Sequence, residues 1–280
     1  MMNTSIKNYQ RMLFPYAYNV LGAVEDAKDV IQDVMIRYAK NISEDINNPK
    51  NYLIKSVINQ AIQLKQKQNK TVPADVWLPE PVITDEDLQH REIFNFSLLA
   101  RMEQLNPKER AVFILKEGFG HSHEEIGEIL SLTTEISRKI LSRAKERLKS
   151  IGSINKLHFR PVVSDIVKKL INAIRDGDTD NVKTLLAEDI QFYADGGTKI
   201  KVVAKECVGA DQVSKLLMYV HQTFNSALEI KFTTINHQPA VLFMQDDVIQ
   251  SCQVFEVDQN NIIRIDVVID PEKLTKLKTN

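Results

Sequence analysis

Six lysines and arginines against two acids fall within residues 133–150. Arg138, Lys139, Arg143, Lys145 and Arg147 are of the types that neutralise phosphates and reach base edges. Just before them, His123 to Leu130 reads as a short helix with Gly127 in its middle, where close approach of another helix is expected because glycine costs roughly 1 kcal/mol against alanine there. Ser131-Leu132-Thr133 reads as a turn and Thr134 to Leu148 as a second helix, with Ile136, Ile140, Ala144 and Leu148 on its inner face. Two helices joined this way, the second basic, form a helix-turn-helix pattern. The plainer alternative is a helical hairpin with a solvated charged face. A second charge concentration lies at Asp26, Asp29 and Asp33, which fall within about 60° of one another on a helix and so form an acidic stripe. Cys207 and Cys252 are too few for a disulfide framework or a metal cluster, and no metal or cofactor is expected.

The elements that must carry these groups follow from periodicity. Residues 5–70 read as three helices, the first ending at Gly22, the second running from about Glu25 to Lys40 with Ala27, Ile31, Val34 and Tyr38 inward, and the third from about Tyr52 to Gln68. Residues 71–92 read as a proline-rich acidic linker, holding Pro73, Pro79 and Pro81 and the sole tryptophan, Trp77. Residues 93–150 are helical again, with Asn106 as an N-cap before Pro107. After about Pro161 the texture changes to two helices, a strand, a hairpin signal at Asp195-Gly196-Gly197 leading to a strand over Ile200 to Val203, a helix from Ala210, and four further strands. That order predicts an α+β domain over residues 161–274 whose curved antiparallel sheet wraps helices.

A chain of 280 residues, 43% hydrophobic and 26% charged with a net charge of −1, is a multi-domain globular protein and excludes wholesale disorder. The near-zero net charge argues against a general nucleic-acid coat protein but leaves room for a local DNA-reading surface. The longest nearly apolar stretch, Phe14 to Val24, is too short to span a bilayer. A cytoplasmic location is expected.

The motifs resemble a known family. Tyr16-Ala17-Tyr18 through Gly22, with Glu25 to Val34, resembles region 2 of the extracytoplasmic-function type of sigma-70 factor. Leu105 to Phe113, with His123 to Leu130, resembles region 4. Residues 161–274 resemble a SnoaL-like domain, a cone-shaped α+β barrel, and the combination is similar to the subgroup that carries such a domain as a fused extension. Trp77-Leu78-Pro79-Glu80-Pro81, Asp195-Gly196-Gly197-Thr198-Lys199 and Asp270-Pro271-Glu272-Lys273-Leu274 support that subgroup. The last two depart from its usual pattern, with threonine for a third glycine and Asp-Pro-Glu for Asn-Pro-Asp. The implied fold is two all-α sigma domains, a region 2 helical bundle (5–70) and a region 4 helix-turn-helix (93–150), followed by the barrel.

The resemblance implies an alternative sigma factor that binds RNA polymerase core, through its β and β′ subunits, and promoter DNA. Asp26, Asp29, Gln32 and Asp33 would face the polymerase, whose docking surface in the family is basic. Asn51, Tyr52, Lys55, Asn59, Lys65 and Lys67 would meet the minus-ten element as melted single strand. Thr133, Thr134, Ser137 and Arg138 would reach base edges of the minus-thirty-five element, while Arg143, Lys145 and Arg147 would hold phosphates. Trp77, Pro79 and Pro81 would dock the linker against Asp195, Gly196, Gly197 and Lys199 and against Asp270, Pro271 and Leu274, making the C-terminal domain a built-in regulator and a candidate binder of a small molecule. One rival is a ligand-responsive helix-turn-helix regulator that never meets polymerase. Another is a SnoaL-like enzyme fused to a DNA-binding region, with Asp195, His221 and His237 as acid–base candidates. The chain is expected not to be an enzyme.

Overall fold

The computed structural model describes residues 2–40, 47–68, 76–84, 92–150, 165–258 and 261–277. The predicted linker ends at 71–75 and 85–91, the start of the predicted C-terminal domain at 161–164 and the turn residues 259–260 lie outside the described residues. Contacts divide the chain into two compact units, one drawn from Met1–Ala74, Asp87–Phe94 and Arg101–Lys156, the other from Asp75–Glu86, Asn95–Ala100 and Leu157–Asn280.

In the first unit, α1 (Met2–Leu21), α2 (Val24–Lys40) and α3 (Pro49–Gln68) pack as a bundle. Leu13, Ala17, Leu21, Ala27, Val34, Leu53, Val57 and Ala61 form its centre, each almost wholly buried. Gly22 takes φ +73° between α1 and α2, a conformation that L side chains rarely adopt. Then α5 (Pro107–Phe113) starts on a capping box, in which the Asn106 side chain accepts from Glu109 N and Glu109 accepts from Asn106 N. A π-turn over Ile114–Gly118 follows. A second capping box, Ser122 with Glu125, opens α6 (His123–Leu130), and α7 (Thr134–Ser150) comes after a three-residue turn. Gly127 is needed because a Cβ there would stand 2.6 Å from the Leu132 carbonyl oxygen, so the turn presses directly on α6.

The inner face of α7 differs from the expected one. Ser137, Leu141, Ala144 and Leu148 are buried, whereas Ile136 is 44% exposed. Ser137 can occupy the core because its hydroxyl bonds His123 Nδ1 at 2.9 Å.

The second unit contains α8 (Asp165–Asp176), α9 (Thr179–Leu185), β1 (Leu186–Asp195), β2 (Glu206–Val208), α10 (Ala210–Val220), β3 (Glu229–Ile235), β4 (Gln238–Gln245), β5 (Val248–Asp258), β6 (Asn261–Val268) and α11 (Pro271–Leu274). The short helix α4 (Phe96–Arg101) contributes all but its last residue to this unit. The expected cone-shaped barrel is corrected to an open six-stranded sheet in the order β2-β1-β6-β5-β4-β3. Closure would require β2 to pair with β3. The strand β2 spans only three residues, and β3 instead meets Ile83 in an isolated bridge, with Thr84 N donating to Thr234 O at 2.9 Å. The sheet is also not purely antiparallel, because β1 runs parallel to β6.

The expected tight hairpin at 195–197 is corrected as well. No strand forms over Ile200 to Val203, and β1 pairs with β2 in the register Phe192↔Cys207. The glycines curl into a local turn in which Ile200 N donates to Gly196 O and Gly197 N donates to Asp195 Oδ1, so the chain cannot run back along β1 there.

One sheet face packs on α8, α9 and α10 through Val167, Leu170, Val213, Phe192, Phe243, Phe255 and Ile265. Over the other lie Leu78, Phe96, Ala100, Leu274 and Leu277, packed on Ile235, Leu242, Cys252, Val254 and Val268. The linker residue Leu78 is 2% exposed, so this unit's core includes sequence that precedes α5 to α7 in the chain.

Candidate functional site

Three surfaces carry the residues singled out by sequence. The first is a groove of about 650 Å³ between α2 and α3, lined by Asp26, Asp29 and Asp33 on one side and by Asn59, Gln60 and Lys67 on the other. Asp29, Gln32 and Asp33 are exposed. Amide groups from α3 steady the acids: Gln68 Nε2 donates to Asp26 at 2.7 Å and Gln60 Nε2 to Asp33 at 3.1 Å. These amide partners bring no charge of their own to the stripe.

Along α3 the minus-ten candidates divide. Asn51, Tyr52, Lys55 and Lys67 are exposed. Asn59 is not free to bind a base, because its amide donates to Ile129 O at 2.8 Å. Lys65 is 5% exposed; its ammonium caps Leu21 O at 3.0 Å and pairs with Glu103 at 2.8 Å. Glu103 also pairs with Arg110, which is 1% exposed and donates through Nε to Asn19 O at 2.8 Å. The bundle α1–α3 and the helices α5–α7 are thereby pinned together inside one unit. Tyr16 adds a stacked contact on Phe119, with centroids 3.6 Å apart, and its hydroxyl meets His121 Nε2 at 3.3 Å. Glu103 and Arg110 were not foreseen as functional, and the only hint in the sequence is that charged residues sit on otherwise apolar faces.

Helix α7 presents Arg138 and Arg143 to solvent, with Thr133 exposed and Thr134 half-buried. Lys145 pairs with Glu117 at 2.8 Å and Arg147 with the buried Glu109 at 3.0 Å. Ser137 faces the core, so one of the four expected base readers is spent on structure, while the exposed Thr133 accepts from Ile136 N through Oγ1 at 3.2 Å and keeps its hydroxyl proton to donate.

The third surface brings the linker motif and both C-terminal motifs together. Asp195 Oδ2 accepts from Leu78 N at 2.8 Å and from Lys273 Nζ at 2.6 Å, while its Oδ1 accepts from Gly197 N at 2.8 Å. Lys273 Nζ also donates to Leu78 O at 2.5 Å and lies 4.3 Å from the Trp77 ring centroid, a cation–π distance. Lys276 reaches Glu80 at 2.5 Å. Gly197, at φ +62°, could carry no side chain, since its Cβ would stand 2.5 Å from the Asp270 carboxyl. Asp270 in turn caps α11 through Glu272 N at 2.9 Å, with Pro271 in its first turn. Lys199 pairs with Glu272 in the open, and Leu274 is buried beneath. Pro79 and Pro81 are buried. The residue that sequence reasoning passed over is Lys273, although it stands inside a motif already singled out.

The acid–base candidates occupy different elements. Asp195 ends β1 with its carboxylate engaged as described. His221 opens a π-turn after α10, and His237 lies in the β3–β4 turn, its N–H bonded to Thr84 Oγ1 at 2.9 Å. Among the described residues no group of three His, Cys, Asp or Glu could hold a metal ion.

Burial pushes the imidazoles of His121, His123 and His221 below the ordinary histidine value, with Lys50, Lys116 and Arg175 adding repulsion; Glu125 opposes the shift at His121 without reversing it. The folded chain therefore binds these protons less readily than the unfolded chain. Their stability contribution is complete above pH ~6.5 and is lost as pH falls through the histidine range. The depressed carboxylates Glu125, Asp211 and Glu272 have the same sign but act lower, near and below the ordinary carboxylate value. The urea midpoint is expected to fall between pH 7.5 and 5.5, with a shallower fall in His121→Gln. A midpoint that stays level or rises would contradict the assignment.

Residues 6–71 match the family model for sigma-70 region 2, and residues 95–148 match that for sigma-70 region 4. The chain is 26% identical over 225 residues to the ECF RNA polymerase sigma factor SigJ of Mycobacterium tuberculosis, covering 77% of this chain and 72% of that relative. It is 22% identical over 284 residues to the probable ECF RNA polymerase sigma factor SigI of the same organism, covering 96% and 93%. The crystal structure of SigJ is similar in fold, with a TM-score of 0.77 at 22% identity over 98% of this chain and 99% of that one.

Proposed function

We propose that the chain is a sigma-70 factor of the extracytoplasmic-function type, serving transcription initiation through its two sigma regions, and that it directs core polymerase to a specific promoter set and restrains itself until it does so. Core polymerase and DNA are its partners, and it works in the cytoplasm beside them. Among the described residues no helix is long and apolar enough to cross a membrane.

Asp26, Asp29, Gln32 and Asp33 bind the polymerase; Asn51, Tyr52, Lys55 and Lys67 meet the minus-ten strand; Thr134, Arg138 and Arg143 meet the minus-thirty-five duplex. One observation carries the restraint: the Asn59 amide lies 2.8 Å from Ile129 O. The two promoter elements are named for positions about 25 base pairs apart, roughly 85 Å of duplex at 3.4 Å per pair. Helices α3 and α6 in hydrogen-bond contact cannot serve both at once, so the first unit has to open. The clasp of Trp77 to Glu80 by Asp195, Lys273 and Lys276 supports a role for the C-terminal sheet in setting how readily the linker is available.

Run-off transcription with core polymerase tests the reading. The full chain is expected to select promoters that core alone does not. Asp29→Lys with Asp33→Lys should lower core affinity at least tenfold, the cost of setting like charges against a basic surface, with little change in melting, because exposed-face substitutions are nearly neutral. Unchanged core affinity of the reversed protein would remove the acidic stripe from the polymerase contact.

A further inference from the structure

We infer that Ile136 is a specificity-determining residue that reads the 5-methyl group of a thymine in the minus-thirty-five element. The inference rests on the promoter-directing reading above and goes beyond it, since it assigns an apolar reader to a helix otherwise read through its charges.

The placement of the first turn of α7 leads to this residue. Ser137 is buried against His123, and the Thr133 hydroxyl holds the Ile136 amide. Glu135 and Lys139 are paired with each other at 2.6 Å on the open surface. Ile136 stands between Thr134 and Arg138 at the start of the helix with 44% of its surface exposed. At 100° per residue it lies within about 60° of Lys139 and Arg143, so cations that can hold flanking phosphates run down the same side. The turn that sets this helix is tight, because Leu132 N donates to Gly127 O at 2.9 Å and a Cβ at Gly127 would stand 2.6 Å from the Leu132 carbonyl oxygen, and the first turn is therefore firmly placed. Within the major groove the one apolar feature of a base edge is the thymine methyl, and aliphatic side chains discriminate by contact with it. An isoleucine with no hydrogen-bonding atom on its side chain has no other base feature to recognise.

The test uses the full chain with core polymerase. A random duplex library is first enriched for binding, and each thymine of the minus-thirty-five element is then replaced singly by deoxyuridine, which removes only the methyl. Wild type is expected to lose about fourfold in affinity at one thymine, the loss of one buried methyl contact. Ile136→Ala should bind the thymine and deoxyuridine duplexes alike while melting with the parent, and Ile136→Val should keep the distinction. The inference is overturned if no thymine shows a deoxyuridine penalty, if the enriched element lacks thymine, or if Ile136→Ala keeps the full penalty, the last being the outcome for a side chain that faces polymerase instead. Failure of the wild-type holoenzyme to enrich any sequence would overturn the promoter-directing reading as well, which separates the two failures.

Discussion

Asp195→Ala is expected to free the Trp77–Glu80 segment and to cost the second unit about 3–5 kcal/mol, the range for removing one partner of a buried ion pair. Asp195 is 4% exposed and its carboxylate serves Leu78 N, Gly197 N and Lys273 Nζ together. The alanine protein would keep Lys273, 6% exposed, as a buried ammonium beside the Leu78 carbonyl and the Trp77 ring with no carboxylate. A carbonyl offsets only part of the desolvation of a full charge, so Lys273 is expected to swing outward and take the linker contact with it. Trp77 is the only tryptophan in the chain, so its emission reports the release directly as a shift to longer wavelength. The double variant Asp195→Ala with Lys273→Met should recover much of the stability, because a buried pair replaced by apolar groups is often close to neutral. On the proposed reading, promoter-dependent transcription should change several-fold in the single variant. Parent-like emission and urea midpoint in Asp195→Ala would remove the clasp as a restraint.

The clasp was partly legible because its chemistry is concentrated in short motifs. Two glycines after an aspartate announced a turn, which occurs at Gly197 with φ +62°; Asp270-Pro271 was singled out only as part of a motif, and that it opens the short helix α11 is seen in the structure alone. Strand pairing was less legible. The Asp-Gly-Gly signal suggested a tight hairpin, but the Asp195 side chain bonds Gly197 and the linker, and β1 finds its partner only at Glu206–Val208. Closure into a barrel depends on what covers the two edge strands, which is a matter of tertiary contact that no local pattern encodes. The inner face of α7 was misassigned for a different reason. Hydrophobicity favoured Ile136 as a core residue, yet the buried position is Ser137, which His123 makes tolerable. A serine with a committed partner can outrank an isoleucine for the interior when the spacing 137, 141, 144, 148 fits the helix better.

Glu103→Ala carries the second large expectation, a loss of about 3–5 kcal/mol from the packing of α1–α3 against α5–α7. Glu103 stands between two cations that water scarcely reaches, since the side chains of Lys65 and Arg110 are 6% and 1% exposed. Without the carboxylate these cations would repel each other in a poorly screened setting, where Coulomb energies are several times those in bulk water. The backbone carbonyls that also accept from them, Leu21 O for Lys65 and Asn19 O for Arg110, do not cancel a charge. Lys65 sits on a helix with a free side, so the least costly response is for it to leave, separating the bundle from region 4. That separation should break the Tyr16–Phe119 stack and the Asn59–Ile129 bond, which amide hydrogen exchange would record as faster exchange in α6 and in the facing part of α3. Glu103→Gln should lie between alanine and parent, because its amide oxygen still accepts a hydrogen bond while the charge is gone. If α3 meets the minus-ten strand, the alanine variant should also bind single-stranded promoter DNA more tightly and with a steeper salt dependence, since one more cation becomes available to neutralise phosphate. A Glu103→Ala protein that keeps the parent's midpoint and exchange pattern would show that the Lys65–Glu103–Arg110 cluster does not hold the two regions together, and tighter single-strand binding would then have to arise elsewhere.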